Sequence, residues 1–283
     1  MLATEGVERR FRSFDGLDLA WMDYPGPRDA KRLPMVCLPG LTRTTQDFIR
    51  LASRQAKNRR VIVQEYRGRG RSAWPALADG YSATAHIEDL RHLLVVAGVH
   101  RAVFVGSSFG GLLSMAFASV QPTVVAGVVM NDIGPSFGGG LGRIRQFIGD
   151  PPYPADMIEA ESIMRTRFPH LPARDDAGWR MVTATTFEPD GQGRMKPNWD
   201  PRVVRLMDAG DAPDPWVLFH ALKPLPVLVF RGSISDVLTP ETLEAMAQAH
   251  PGLIAVTVAG VGHTPALDEP DAEPALDDFL NRF

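Results

Sequence analysis

The apolar run Ala102-Val103-Phe104-Val105 leads directly into Gly106-Ser107-Ser108-Phe109-Gly110-Gly111, and that turn into Leu112-Leu113-Ser114-Met115-Ala116-Phe117-Ala118. A short apolar run bounded by glycine reads as a buried strand, and the longer stretch after it as a helix. The chain must therefore turn sharply at Ser108, with Gly106 and Gly110 free of the Cβ atoms that would keep strand and helix apart. A serine at such an apex holds its hydroxyl clear of the sheet, and the Phe109 N–H behind it lies at a helix N-terminus, where negative charge is stabilised. Ser108 is thus a candidate nucleophile. Taken alone, G-x-S-x-G also suits a tight connection or a phosphate cradle, so its meaning depends on what surrounds it.

The surroundings alternate between strands and helices. Residues 9–14 and 17–24 read as a hairpin around Asp15-Gly16. Residues 35–38 and 61–64 are short apolar runs typical of buried strands, with a helical stretch at 47–54 between them. A helix at 83–97 precedes the serine strand, and 124–130 makes another strand. The rhythm breaks after Asp132: residues 135–222 contain no β-rich run, only glycines, prolines and helix-like segments at 154–168, 175–185 and 201–209. It resumes with a strand at 227–230, a helix at 240–249, a strand at 254–258 and a last helix at 271–282. The fold class expected is α/β: a mostly parallel central sheet with flanking helices. A core of 1–134 and 223–283 would carry a helical cap, 135–222, inserted over the sheet edge where such folds bind ligands.

Composition narrows the function. The chain has 283 residues, enough for one large domain with an insertion. A net charge of −3 argues against general nucleic-acid binding, and no apolar stretch approaches the roughly 18 residues that cross a membrane. The first ten residues lack the apolar core of a signal peptide. The single cysteine, Cys37, lies within an apolar strand and reads as a buried structural thiol. A cytoplasmic location is the default expectation, with a monomer or homodimer as the assembly.

A nucleophilic serine needs a base. The strand–turn–helix around Ser108 resembles the nucleophile turn of the α/β-hydrolase fold, whose order, serine then acid then histidine, implies His170, His220, His250 or His263 among the seven histidines. His263 follows a strand on the glycine-rich loop Ala259-Gly260-Val261-Gly262, where an imidazole can reach over the sheet edge. For the acid, Asp236 lies on the loop leaving the strand before His263. Thr239, adjacent to Pro240, is the better helix cap, which frees Asp236 to orient the histidine. Asp132, at the end of the strand after the serine strand, is the rival; Asp236 is preferred. The Pro39-Gly40 turn makes the Leu41 N–H a second oxyanion donor beside that of Phe109.

With these segments in hand, the chain resembles the α/β-hydrolase fold superfamily, in its capped, serine-nucleophile branch. The nucleophile turn matches; Gly232-Ser233-Ile234-Ser235-Asp236 is similar to the family's acid loop and Gly262-His263-Thr264-Pro265 to its histidine loop. The spacings, 128 residues from Ser108 to Asp236 and 27 more to His263, fit. Tyr66-Arg67-Gly68-Arg69-Gly70-Arg71-Ser72 looks like the family's R-G-x-G-x-S turn, read as structural with solvated or edge-bonded arginines. Pro39-Gly40 stands where many relatives have His-Gly, and Tyr66 where aspartate is common. The resemblance implies a serine hydrolase acting on a small carboxylic ester, lactone or related carbonyl compound, without metal or organic cofactor. Acyl transfer to another acceptor and C–C bond hydrolysis use the same triad, and a non-enzymatic receptor is a further alternative. Serine at position 108 separates the chain from dehalogenase and epoxide-hydrolase relatives, which carry aspartate there. Most aromatics of the insertion (Phe137, Phe147, Tyr153, Trp179, Phe187, Trp199, Trp216) are expected in its own core. Arg43 is read as solvated, with a substrate carboxylate as the alternative partner.

Overall fold

The computed structural model describes residues 5–173, 175–208 and 213–283; Met1–Thr4 of the leader reading and Ala209 of the 201–209 helix lie outside them. The first half runs β1 (Val7–Arg12), β2 (Asp18–Tyr24), β3 (Met35–Leu38), α1 (Ile49–Gln55), β4 (Val61–Gln64), α2 (Ala83–Val96), β5 (Ala102–Ser107), α3 (Phe109–Val120) and β6 (Val125–Asn131). After a long insertion come β9 (Val227–Gly232), α8 (Pro240–Ala249), β10 (Ile254–Val258) and α9 (Ala272–Leu280). The eight strands pair in the order β1-β2-β4-β3-β5-β6-β9-β10. β2 is antiparallel to both of its neighbours and every other pairing is parallel.

Alternation along each strand supplies two cores. Val36, Leu38 and Phe104 face one way and pack with Leu90, Leu93 and Leu94 of α2, Leu113 and Phe117 of α3, and Met246 of α8. Met35, Cys37, Val103 and Val105 face the other way, against Leu51 of α1 and Leu276 and Phe279 of α9. Because helices cover both faces, the central strands are apolar at nearly every position, which is what made them legible as continuous runs. Cys37 is fully buried, and burial pushes its thiol pKa up, so it is a packing group.

The insertion between β6 and β9 holds α4 (Leu141–Gly149), α5 (Met157–Arg167), α6 (Asp176–Thr186), β7 (Phe187–Pro189), β8 (Met195–Pro197), a 3-10 turn (Pro201–Met207) and α7 (Pro215–His220). The short antiparallel β7–β8 hairpin, Phe187–Pro189 with Met195–Pro197, adds strand to a segment expected to be helical, and α4 and α7 lie outside the expected helices. Phe147, Trp179, Phe187 and Trp199 form a buried cluster that also takes in Tyr81 from outside the insertion, whereas Phe137 and Tyr153 are exposed. Phe219 and Leu222 instead belong to the main core, so α7 packs with the sheet's helices.

At the serine turn the backbones approach as closely as glycine permits. A Cβ on Gly110 would overlap the carbonyl oxygen of Leu38 in β3, and one on Gly106 would overlap the Gly110 backbone. Backbone atoms cannot swing aside, so Gly110→Ala should destabilise the protein by about 3 kcal/mol or more. Denaturant titration checks this; an unchanged midpoint would contradict the packing described.

Candidate active site

The end of β5 delivers Ser108 and the end of β6 delivers Asp132. Ser107 pairs with Asn131, so the next residue of each strand leaves the sheet beside the other. Both adopt left-handed backbone, φ 50° for Ser108 and 56° for Asp132, a conformation that costs non-glycine residues energy and persists only where the surroundings fix it. Here the fixing is visible. The Ser108 N–H donates to Asn131 O at 2.9 Å, and the Asp132 N–H to Phe230 O at 2.8 Å. The Asn131 side chain donates to Ser107 Oγ and Pro265 O, both at 2.8 Å, tying the serine turn to the histidine loop.

His263 joins the two. Its Nε2 lies 2.8 Å from Ser108 Oγ and its Nδ1 lies 2.7 Å from Asp132 Oδ2. An ionised carboxylate only accepts, so Nδ1 carries the proton, and in the neutral ring Nε2 is left as the acceptor for the serine hydroxyl. Asp132 is fully buried while Ser108 and His263 are half-buried, so the chain of hydrogen bonds runs from the interior toward the accessible side.

Asp236, the carboxylate preferred from the sequence, is not at this site. It is half-exposed and pairs with Arg143 of α4, and its backbone carbonyl accepts the Gly140 N–H at 2.9 Å. The loop after β9 therefore turns Asp236 outward to the insertion and its neighbour Ser235 inward to Asp132. Thr239 does cap α8, accepting the Thr242 N–H at 3.1 Å.

The Pro39-Gly40-Leu41 loop lies against the serine: a Cβ on Gly40 would stand 3.9 Å from Ser108 Cβ. It is gripped at both ends. Tyr66 Oη donates to Pro39 O at 3.1 Å, and Arg69 Nε donates to Leu41 O at 2.7 Å. Phe109 is the first residue of α3, so its N–H has no acceptor within the helix.

Of the two expectations for the arginines of the Tyr66–Ser72 turn, solvated or edge-bonded, solvation does not hold for Arg67 and Arg69, whereas Arg71 is exposed. Arg67 and Arg69 are fully buried. Arg67 forms a two-pronged pair with buried Asp89, at 2.7 and 2.6 Å, and reaches Asp15. Arg69 stacks between the rings of Tyr66 and Tyr81, and burial pushes its pKa down to about 10, leaving it charged at neutral pH. Its Nη1 lies 3.1 Å from His86 Nε2; since arginine only donates, that nitrogen accepts and His86 Nδ1–H points to Ser82 O. Burial, with Arg69 adding to it, holds His86 neutral, its pKa well below the usual value.

Arg43 is likewise engaged. It grips Asp47 with two bonds of 2.7 Å and donates to Thr185 and Thr186 of α6 at 2.6 Å each. The insertion reaches the site loops elsewhere too: His170 O accepts the Gly262 N–H at 2.8 Å, next to His263, and Asn198 O accepts the Gly70 N–H at 3.0 Å. Of the remaining histidines, His220 lies on α7 and His250 is buried against the carbonyls of Leu222 and Leu225. Among the described residues no cluster of three His, Cys, Asp or Glu could hold a metal ion, and no helix is long and apolar enough to cross a membrane.

Known proteins share this arrangement of elements. A crystal structure of an alpha/beta hydrolase from Novosphingobium aromaticivorans superposes with a TM-score of 0.91, is 35% identical and covers 100% of both chains. The 3-hydroxybutyrate-oligomer hydrolase of Cupriavidus necator is 31% identical over 263 residues, 88% of this chain and 87% of that one. The structure of E-2-(acetamidomethylene)succinate hydrolase, 23% identical over 98% of each chain, has the same fold with a TM-score of 0.81. The sequence pattern of the alpha/beta hydrolase family matches residues 35–273, and the chain belongs to that family.

Proposed function

We propose that this hydrolase cleaves small carboxylic esters through an acyl-enzyme on Ser108, with His263 as base and Asp132 as the acid that orients it. The observation that carries the reading is the continuous hydrogen-bonded chain from Ser108 Oγ through the His263 ring to Asp132 Oδ2. In the first step Ser108 Oγ attacks the ester carbonyl carbon while its proton passes to His263 Nε2. The resulting oxyanion is held by the N–H groups of Leu41 and Phe109. Collapse breaks the bond to the leaving oxygen, which takes the proton from Nε2 and departs as the alcohol. Water then attacks the acyl-serine, giving one proton to Nε2, and collapse returns that proton to Ser108 Oγ and releases the acid. Asp132 keeps its negative charge throughout and stabilises the imidazolium.

The insertion acts as a cap in this reading, since it bonds to the loops bearing Arg43, Gly70, Asp236 and Gly262. The Cupriavidus relative is named for hydrolysis of 3-hydroxybutyrate oligomers. Carried to this chain, that makes short 3-hydroxyacyl esters the first substrates to assay, ahead of lactones.

Release of 3-hydroxybutyrate from its dimer and trimer, beside hydrolysis of p-nitrophenyl butyrate, tests the reading directly. Ser108→Ala should lower kcat by at least about 10³-fold; wild-type turnover in that variant would refute the acyl-enzyme. Asp132→Asn presents the wrong tautomer to the serine and should cost about 10⁴-fold in kcat. Asp236→Asn should stay within about threefold of wild type; the reverse ranking of the two variants would restore Asp236 as the acid. Tyr66→Phe frees one end of the Pro39–Leu41 loop and should lower kcat by about 3–10-fold, well short of the roughly 10²–10³-fold cost of losing an oxyanion donor. A change confined to KM would place that loop outside transition-state binding.

A further inference from the structure

One residue before Asp236, Ser235 is buried and directs its hydroxyl at Asp132. Its Oγ lies 2.5 Å from Oδ2, the same oxygen that receives His263 Nδ1–H, while Oδ1 accepts the Gly232 N–H at 2.8 Å. The donor and acceptor roles are fixed. Asp132 as a carboxylate only accepts, and the Val237 and Leu238 N–H groups point at Ser235 Oγ from 3.2 and 3.3 Å. Both backbone groups donate, so the single hydroxyl proton goes to Asp132.

A carboxylate with no access to water needs donors to hold its charge. Among the described residues Asp132 pairs with no lysine or arginine, so its charge is met by one backbone N–H, the imidazole N–H and the Ser235 hydroxyl. Of these, the hydroxyl is the only side-chain group besides His263, and it acts on the oxygen that faces the imidazole.

We infer that Ser235 is a positioning residue for the catalytic acid, its hydroxyl holding Oδ2 of Asp132 in line with His263 Nδ1. The inference rests on the ester-hydrolase reading and deepens it. Without the hydroxyl the carboxylate keeps the Gly232 N–H on Oδ1 and the imidazole on Oδ2, and nothing but the ring itself then fixes Oδ2, so the ring is oriented less often for proton transfer from Ser108. The loop itself has other supports. The Ser235 N–H donates to Gly232 O at 3.0 Å, and the carbonyls of Asp236 and Val237 accept from Gly140 and Gly138. Loss of the hydroxyl should therefore act on catalysis more than on the fold.

The test compares Ser235→Ala, Ser235→Cys and Ser235→Thr with wild type on p-nitrophenyl butyrate, with Ser108→Ala as the control for the reading beneath it. Alanine removes the donor and cysteine keeps the size with a weak donor; each should lower kcat about tenfold with KM within about twofold. Threonine retains the hydroxyl and should recover to within about threefold of wild type. If Ser235→Ala does not fold, Ser235→Cys carries the same comparison. Either variant within twofold of wild-type kcat, beside an inactive Ser108→Ala, overturns the role of Ser235 and leaves the triad standing. A loss shared equally by threonine, in parallel with a lower melting temperature, also overturns it in favour of a purely structural serine. Activity surviving in Ser108→Ala removes the hydrolase reading itself, and this inference with it.

Discussion

The parallel ladder between β5 and β6 determines where a site can form in this molecule. Because Ser107 stands opposite Asn131, the chain leaves both strands at the same level, and Ser108 and Asp132 emerge side by side in left-handed backbone. The ladder continues outward, with the Ser108 N–H bound to β6 and the Asp132 N–H bound to β9. Two strained residues are thus held by main-chain bonds rather than by side-chain packing alone. Once they are fixed, β9 and β10 need only supply loops long enough to bring Ser235 and His263 to them. The glycines of the serine turn serve the same geometry, letting α3 press against β3 and β5.

The inner strands of the sheet were legible from the residues because they are buried on both faces. Apolar runs at β3, β4 and β10 and the capped helix α8 have the bounds that pattern and turn residues indicated. The insertion was less legible. α4 and the β7–β8 hairpin are short, and what holds them is a tertiary cluster of Phe147, Phe187 and Trp199, which has no periodic trace in the sequence.

Ser108 and His263 were readable from motif and position, and the structure brings them together. The acid was not. Two carboxylates stood at plausible places, and what separates them is Arg143, 93 residues before Asp236 in the chain, which draws that side chain outward. A signal for Asp132 did exist: the strand after the serine strand is its parallel neighbour, and a carboxylate one residue past its end falls level with the serine. The burial of Arg67 and Arg69 in the Tyr66–Ser72 turn was not legible for a related reason. Their partners, Asp89 and the carbonyl of Leu41, come from separate elements, and guanidinium groups are ordinarily read as surface groups.

The proposed hydrolysis requires that Ser108, activated through His263 and Asp132, become covalently acylated. Incubation with a fluorophosphonate ester probe, followed by peptide mass mapping, tests it most directly, since the phosphonyl group reacts with an activated serine and stays there. One adduct per chain is expected, on the peptide containing Ser108, with ester hydrolysis lost in proportion to labelling. An adduct confined to another residue, or hydrolysis persisting in fully labelled protein, would contradict it.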